Sequence, residues 1–360
     1  MKIIVVSSSP AHNHVRINKF IKYFEDNEYS IQCLSWLRNR GDVYLSNQEV
    51  YLLKGGGYSN WKLIVYYPLW ISRLFFHFLR KKNLENSIIF VVNFDGALPV
   101  FLASFFRKRI KYIYDIHDEF ALSYKFPLLI VKTISFLDTL IKSRAYKVIH
   151  VDKSRVSKND RNYEIIFNSP ADFYNGIYRN NRNERSLLYV VSGLLVKTRG
   201  LESIYKFALA NPNFNFIVAG RLIDDTASKL VDLKNVDYFG MLPQYHLFER
   251  IKNADGIFSL YDPSIEINKL AASNKLYDAM MLGIPVIVNN GILAEHFVRS
   301  ERIGYVVNYE YDETWGRIYN ADFREIKLLG RNGRKIYETT FDYQSNYVHK
   351  LDRIFSGVKI

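Results

Sequence analysis

The sequence predicts two doubly wound α/β domains, each a parallel sheet flanked by helices, and three observations carry this expectation. The chain has 360 residues, more than one hydrophobic core usually supports. Short apolar runs of strand length alternate with segments of helical spacing, and the alternation occurs once in each half. Apolar residues make up 48% and charged residues 24%, the balance of a globular protein and not of a disordered, collagenous or coiled-coil chain.

The first half opens with Lys2–Ser7 (KIIVVS), a continuous apolar run of the kind a strand covered on both faces shows. Arg16–Asn27 follows with helical spacing through Ile17, Phe20, Ile21 and Phe24. Ser30–Trp36, Ser87–Val92, Lys111–Asp115 and Lys147–Val151 read as strands, with helices at Leu98–Phe106 and Leu128–Ser143. In the second half Ser186–Val191, Asn215–Ala219, Val236–Phe239, Gly256–Leu260 and Ile284–Val288 read as strands. Leu201–Ala210 and Asn274–Met281 read as helices, the second stopped by Gly283. Strand–helix alternation implies right-handed crossovers and ligands at the carboxyl ends of the strands. The expected division is a first domain at 1–168, a second at 169–342, and one amphipathic helix within 343–360 that packs back on the first domain. Ala171–Arg185, polar throughout its second half, is the candidate linker.

The net charge is +13, which speaks to partners and not to fold. Residues 1–168 hold 25 Lys/Arg against 14 Asp/Glu, and the remainder 24 against 22, so the excess sits in the first half. Val50–Leu84 carries six basic residues and no acidic one. Basic residues and aromatics interleave over 58–82, Phe101–Tyr114 and Tyr124–Lys147, a mixture suited to an anionic headgroup surface or to a buried helix with a solvated basic face. One cysteine, Cys33, excludes an internal disulfide and a Cys-rich zinc site and suits a reducing compartment. No secretory signal is read at the N-terminus. Leu63–Leu79 is interrupted by Pro68, Arg73 and His77, so it does not read as a membrane span. No Asp-x-Asp and no His-x-x-x-His occurs, Asp224-Asp225 reads as a solvated turn, and no metal site is expected. Nucleic acid is disfavoured, because no recognition module appears.

Ser273–Val288 (SNKLYDAMMLGIPVIV) is the sharpest segment. Ser273 or Asn274 can cap a helix whose free N–H groups, with Lys275 in the first turn, suit a phosphate or diphosphate. Asp278, one turn on, can accept bonds from ribose hydroxyls. In Val190–Gly200 (VVSGLLVKTRG), Gly193 permits close backbone approach, and Lys197 and Arg199 can reach a diphosphate. His117 and Asp118 end a strand, where an open sheet carries ligands; Asp118 serves either as general base or as orienter of His117. Asp95, in Asn93-Phe94-Asp95-Gly96 at the end of the preceding strand, is a weaker candidate for a ligand site, and Arg16 can hold a phosphate or sugar hydroxyl or sit as a surface helix charge.

These segments together resemble nucleotide-sugar glycosyltransferases of the GT-B fold, particularly glycosyltransferase family 4. Ser273–Val288 resembles the family's donor-binding helix, and Val190–Gly200 the element that opens its donor domain. Asn215–Arg221 (NFIVAGR) and Asn235–Pro243 (NVDYFGMLP) resemble the next strand and the turn that meets the base. Glu164–Pro170 (EIIFNSP) resembles the end of the first domain, Tyr114–Phe120 (YDIHDEF) its His-Asp strand, and Ser9–Arg16 its opening loop. The resemblance covers the whole chain. It implies two Rossmann-like domains facing a central cleft and metal-independent transfer of a hexose to an acceptor hydroxyl, with retention.

The implied donor is a UDP-sugar before a GDP-sugar, with no other cofactor. The diphosphate is then held by Arg199 and Lys275, with Lys197 as a substitute, and His117 contacts the transferred sugar. The implied acceptor is a saccharide or lipid-linked saccharide of bacterial surface-polysaccharide synthesis. The implied location is cytoplasmic, on the inner face of the membrane. Two departures stand against the pattern: Leu194 replaces an Arg common after the first Gly, and Leu270 replaces the first of two glutamates, whose second falls on Asp278. Glu266 is the nearby carboxylate that can fill that place. A nucleotide-sugar epimerase of the same fold and a non-catalytic sugar-nucleotide or membrane-binding protein are the alternatives.

Overall fold

The computed structural model describes residues 1–39, 41, 48–58, 61–108, 110–123, 126–156, 160, 162–172 and 186–357. The linker expected at Ala171–Arg185 lies outside these residues from position 173 onward. The described chain forms two compact units, Met1–Ile166 with the segment from Lys350, and Phe167–His349.

The first unit is a seven-stranded parallel sheet in the order β3-β2-β1-β4-β5-β6-β7. Its strands are β1 (Lys2–Ser7), β2 (Ser30–Leu37), β3 (Glu49–Lys54), β4 (Ser87–Val92), β5 (Lys111–Ile116), β6 (Lys147–His150) and β7 (Tyr163–Ile165). Its first four helices are α1 (Val15–Asp26), α2 (Leu63–Arg80), α3 (Asn93–Phe106) and α4 (Leu128–Arg144). β1 and β4 lie centrally, pairing in register from Lys2 opposite Ser87 to Val6 opposite Val91. That position explains their unbroken apolar sequence, since both faces are covered. On one face Trp36 and Trp70 stack at 6.1 Å above the core from α2, α3 and α4. On the other, Phe20 and Phe24 of α1 meet Phe90 at 4.6 and 5.7 Å. The chain returns to this face at its end: Phe355 lies 5.3 Å from Phe24, and Tyr23 Oη donates to Asp352 at 2.8 Å.

The second unit repeats the plan with six parallel strands ordered β10-β9-β8-β11-β12-β13. These are β8 (Leu188–Leu195), β9 (Asn215–Leu222), β10 (Val236–Tyr238), β11 (Gly256–Phe258), β12 (Val286–Asn289) and β13 (Gly304–Val307). The helices are α5 (Leu201–Ala210), α6 (Asp225–Val231), α7 (Gln244–Ile251), α8 (Glu266–Lys269), α9 (Asn274–Leu282), α10 (Leu293–Glu301), α11 (Gly316–Tyr319) and α12 (Phe323–Ile336). One face packs Tyr277, Met280 and Met281 of α9 against Val286 and Val288. The other packs Tyr189, Phe207, Phe258 and Trp315. In both sheets the strand order reverses beside the first strand, between β1 and β4 and between β8 and β11. That reversal opens a crevice at the carboxyl ends.

Besides helices the sequence reading did not name, such as α2, α7, α10 and α12, several features differ from it. β3, β7 and β13 were not expected; β7 has three residues and β3 is an edge strand, so neither carries a long apolar signal. α3 begins at Asn93, five residues before the expected start, because Asn93 takes a positive φ of 57° and turns the chain directly out of β4. Asp224 is no solvated turn: its carboxylate caps α6 by accepting from Ala227 N–H at 3.1 Å and also accepts from Lys197 N–H at 2.6 Å. The expected helix at Tyr343–Phe355 is two pieces, a π-helical turn over Gln344–Val348 followed by His349–Ser356. Asn346 in the wide turn is buried, bonding the backbone of Phe167 through both its Oδ1 and Nδ2.

Candidate active site

In the first unit the loops after β1, β4 and β5 assemble a polar cluster at the carboxyl end of the sheet. His117 follows β5, and its Nε2 lies 2.6 Å from Asp115 Oδ2. Asp115 is wholly buried, and burial alone raises a carboxyl pKa. The charges of Arg16 and His117 outweigh that effect and hold it down at about 2. An ionised Asp115 accepts, so Nε2 carries the proton, and in the neutral ring Nδ1 is an acceptor. The backbone N–H groups of His117 and Asp118 both donate to Asn93 Oδ1, at 2.8 and 3.2 Å. The His117 carbonyl accepts from Arg155 Nη1.

Arg16 takes a place different from either expected one. It is 4% exposed, with Nη2 donating to Asp115 Oδ1 at 2.8 Å and Nη1 to the carbonyl of Ile166 at 2.7 Å. An Arg beside a buried carboxylate is more stable pairing with it than facing solvent, because the lone carboxylate would be uncompensated. Arg16 is therefore a positioning residue behind Asp115, not a surface charge. The orienter of His117 is Asp115, which the sequence reading passed over in favour of Asp118. Asp118 itself has a side chain 58% exposed, with Arg155 Nη1 at 3.5 Å. Asp95 is buried in the first turn of α3, and its Oδ1 has no hydrogen-bond partner. Burial pushes its pKa up, with Ser8 and Arg38 opposing. His14 reaches the same cluster: its ring centroid is 6.3 Å from that of His117, and its Nε2 is 2.5 Å from Ser9 Oγ. Burial, then the neighbouring His117, lowers its pKa to about 4.

In the second unit the loops after β8 and β11 meet the N-terminus of α9. Tyr261, three residues past β11, is the centre of this arrangement. Arg199 Cζ stands 4.0 Å from its ring centroid, and Lys275 Nζ 5.7 Å from the same centroid. Asn289, buried at the end of β12, accepts from Tyr261 N–H at 2.8 Å and donates to its carbonyl at 3.0 Å. That pair of bonds fixes the ring against which two cations rest. The Lys197–Gly200 loop is fixed in turn by Tyr309, whose Oη donates to the Lys197 carbonyl at 2.7 Å and accepts from Gly200 N–H at 3.2 Å.

Ser273 occupies the N-cap position of α9, but its side chain makes no capping bond; its Oγ instead accepts from Ser259 Oγ at 2.8 Å. A helix end without a side-chain cap leaves N–H groups and the positive dipole end for an anion. Asn274 Oδ1 beside it is buried and has no partner. Gly193 in β8 has φ of 97°, and a Cβ there would come within 3.8 Å of Lys275 Nζ. The backbone thus passes directly beside the lysine. Asp278 accepts from Gln244 Nε2 at 3.2 Å.

The arrangement brings together Gly193, Arg199, Ser273, Asn274 and Lys275. It does not bring in Lys197, whose side chain is 73% exposed and paired with Glu202 at 3.3 Å. Glu266 opens α8 with a side chain 68% exposed, 2.6 Å from Lys269. Tyr261 and Asn289 were missed because neither stands in a motif; their pairing spans 28 residues. Among the described residues no group of three His, Cys, Asp or Glu could hold a metal ion.

The chain resembles solved glycosyltransferases over its full length. Sucrose-phosphate synthase from Thermosynechococcus elongatus superposes with a TM-score of 0.70 at 15% identity, covering 99% of this chain and 100% of that one. HepE from Anabaena, in complex with UDP and glucose, gives 0.71 at 15% identity over 99% and 100%. The chain has the GT-B fold. WaaG, a glycosyltransferase involved in lipopolysaccharide biosynthesis, gives 0.63 at 12% identity over 99% and 100%. No family model matches the GT-B chain, and no curated protein matches it in sequence.

Proposed function

We propose that the protein is a glycosyltransferase that takes a hexose from a UDP-sugar held by the second unit. The observation that carries this reading is the convergence of Arg199 and Lys275 on Tyr261 beside the uncapped start of α9. Two cations and a helix dipole aimed at one place stabilise the negative charge that develops on a departing diphosphate, the task a metal performs elsewhere. Asp278 then receives the ribose hydroxyls, exchanging its bond from Gln244 for theirs. The solved complexes of HepE with UDP and glucose support the choice of nucleotide.

In the first unit His117 offers Nδ1 to a hydroxyl of the transferred sugar, held in that tautomer by ionised Asp115. Asp118, exposed at the same strand end, is the base that receives the acceptor proton. Transfer proceeds with retention, and the acceptor is a lipid-linked saccharide of surface-polysaccharide synthesis, presented at the inner membrane face. The basic excess of residues 1–168 supports that setting, as an anionic surface attracts Lys and Arg.

A thermal-shift series with UDP-, GDP- and CMP-linked sugars tests the donor, since a ligand bound to the native state raises the transition by mass action. The UDP-sugar is expected to give the largest shift. Lys275→Ala is expected to abolish transfer and to weaken UDP binding by about 100-fold. Unchanged UDP affinity in that variant refutes the site. Conversion of the donor to its epimer without acceptor would replace transfer with epimerisation.

A further inference from the structure

A groove in the first unit has no part in the reading above. It lies between β3, the edge strand, and the C-terminal half of α2, and is a groove of about 630 Å³ open to solvent on one side. α2 runs back from the carboxyl end of β3 toward the start of β4. Its last residues therefore sit at the amino end of the sheet, and Lys81 Nζ donates to Gln32, early in β2, at 2.8 Å. His117 and the start of α3 are at the opposite, carboxyl end. The groove is thus separate from the polar cluster described for this unit.

Its chemistry is two-sided. Leu52, Leu69 and Phe76 make an apolar floor, and Arg73, Arg80 and Lys81 surround it with positive charge. Among the described residues no acidic side chain lines it, and none occurs from Val50 to Leu84. Phe76 is 49% exposed, with Arg80 Cζ 5.7 Å from its ring centroid. His77 Nε2 is buried in the wall with no hydrogen-bond partner, a state that native proteins seldom leave unmet. An added β-strand does not suit the edge. Arg73 Nη1 already donates to the Leu52 carbonyl at 2.9 Å, taking the acceptor that strand addition would use.

We propose that this groove binds a single anionic phospholipid, with the phosphate among Arg73, His77 and Arg80 and the acyl chain along Leu52, Leu69 and Phe76. The proposal deepens the membrane association proposed above and rests on that part of the reading alone, independent of donor binding. It adds a defined headgroup seat to what would otherwise be diffuse attraction between a basic face and an anionic surface.

The test uses the full chain and dihexanoyl phosphatidylglycerol below its micelle concentration, with titration calorimetry as readout. Saturable binding of one lipid per chain is expected, with glycerol phosphate weaker by more than about tenfold, because the chain contributes apolar burial. Phe76→Ser and Arg80→Gln, both at exposed positions, are each expected to weaken lipid binding by about tenfold or more while leaving UDP affinity unchanged. His77→Ala is expected to do the same, and the other two variants keep the test usable if it fails to fold. Lys82→Ala, outside the groove, is expected to retain wild-type lipid affinity. The proposal is overturned if glycerol phosphate binds as tightly as the lipid, which would make this a free-phosphate site. It is equally overturned if the groove variants bind lipid like wild type, or if binding never saturates. Loss of UDP binding by the wild-type chain would refute the donor site and leave the lipid result standing.

Discussion

His117 Nε2 lies 2.6 Å from Asp115 Oδ2, and the other carboxylate oxygen is held by Arg16 at 2.8 Å. The histidine at the strand end is therefore one member of a buried charge-compensated group whose third member comes from the first helix. Asp115→Asn leaves the Arg16 guanidinium without its counter-charge, and breaking a buried pair from one side costs about 3–5 kcal/mol. Denaturant unfolding is expected to show that loss, and transfer activity to fall with it.

The same group gives a pH dependence of defined sign. The Asp115 pKa is about 2 in the folded chain and near 3.9 when unfolded. Its contribution is complete above the unfolded value and is lost as pH falls from about 4 toward 2. An acid-unfolding series compared with Asp115→Asn checks this, because the variant should lose the slope in that window.

His14 acts at a higher pH. Its pKa falls to about 4 in the folded chain from the ordinary 6.5 of a histidine, so the unfolded chain binds more protons between those limits. Stability should rise with pH through that window, by on the order of 3 kcal/mol. His14→Gln should flatten the profile between pH 4 and 6.5, read by thermal unfolding.

Tyr261 separates ring from hydroxyl in a simple comparison. Tyr261→Phe keeps the surface on which Arg199 and Lys275 rest and should bind UDP much as wild type does. Tyr261→Leu removes both cation–π contacts, each worth about 0.5–1 kcal/mol, and should weaken UDP binding by about tenfold. Equal affinity in the two variants would show that the ring has no part in placing the cations.

Gly220 tests the close approach of β8 and β9. Its φ is 146°, and a Cβ there would stand 1.8 Å from the Gly193 carbonyl oxygen. Gly220→Ala must push the strands apart where Gly193 passes Lys275. It should cost more than about 3 kcal/mol, measured by chemical denaturation.

Removing charge from the end of α2 tests membrane attraction as a whole. Replacing Arg80, Lys81 and Lys82 by alanine should weaken binding to anionic vesicles on the order of 100-fold, from about 1 kcal/mol per basic residue. Flotation with vesicles of phosphatidylglycerol and phosphatidylcholine measures it.

What the sequence made legible was local. Leu201–Ala210 forms a helix over the very residues expected, and Asn274–Leu282 ends at Gly283 with φ of 66°, as a glycine stop implies. What it concealed was pairing over distance. Arg16 looked like a free cation in an opening loop, but its partners Asp115 and Ile166 are 99 and 150 residues away. Asp224 looked solvated because its acceptor role toward Lys197 depends on two neighbouring strand ends meeting. Lys197 stood in sequence as a substitute for Arg199; the folded loop turns Arg199 toward Tyr261 and Lys197 toward Glu202.

The return of the chain to the first unit bears on how the protein is made. Phe355 packs on Phe24, and Asp352 accepts from Tyr23, so a domain begun by the first residues is sealed by residues beyond 350. On the ribosome the second unit can finish while the first still exposes the face around Phe24 and Tyr23. A cut near residue 350 would then injure the domain farthest from it along the sequence.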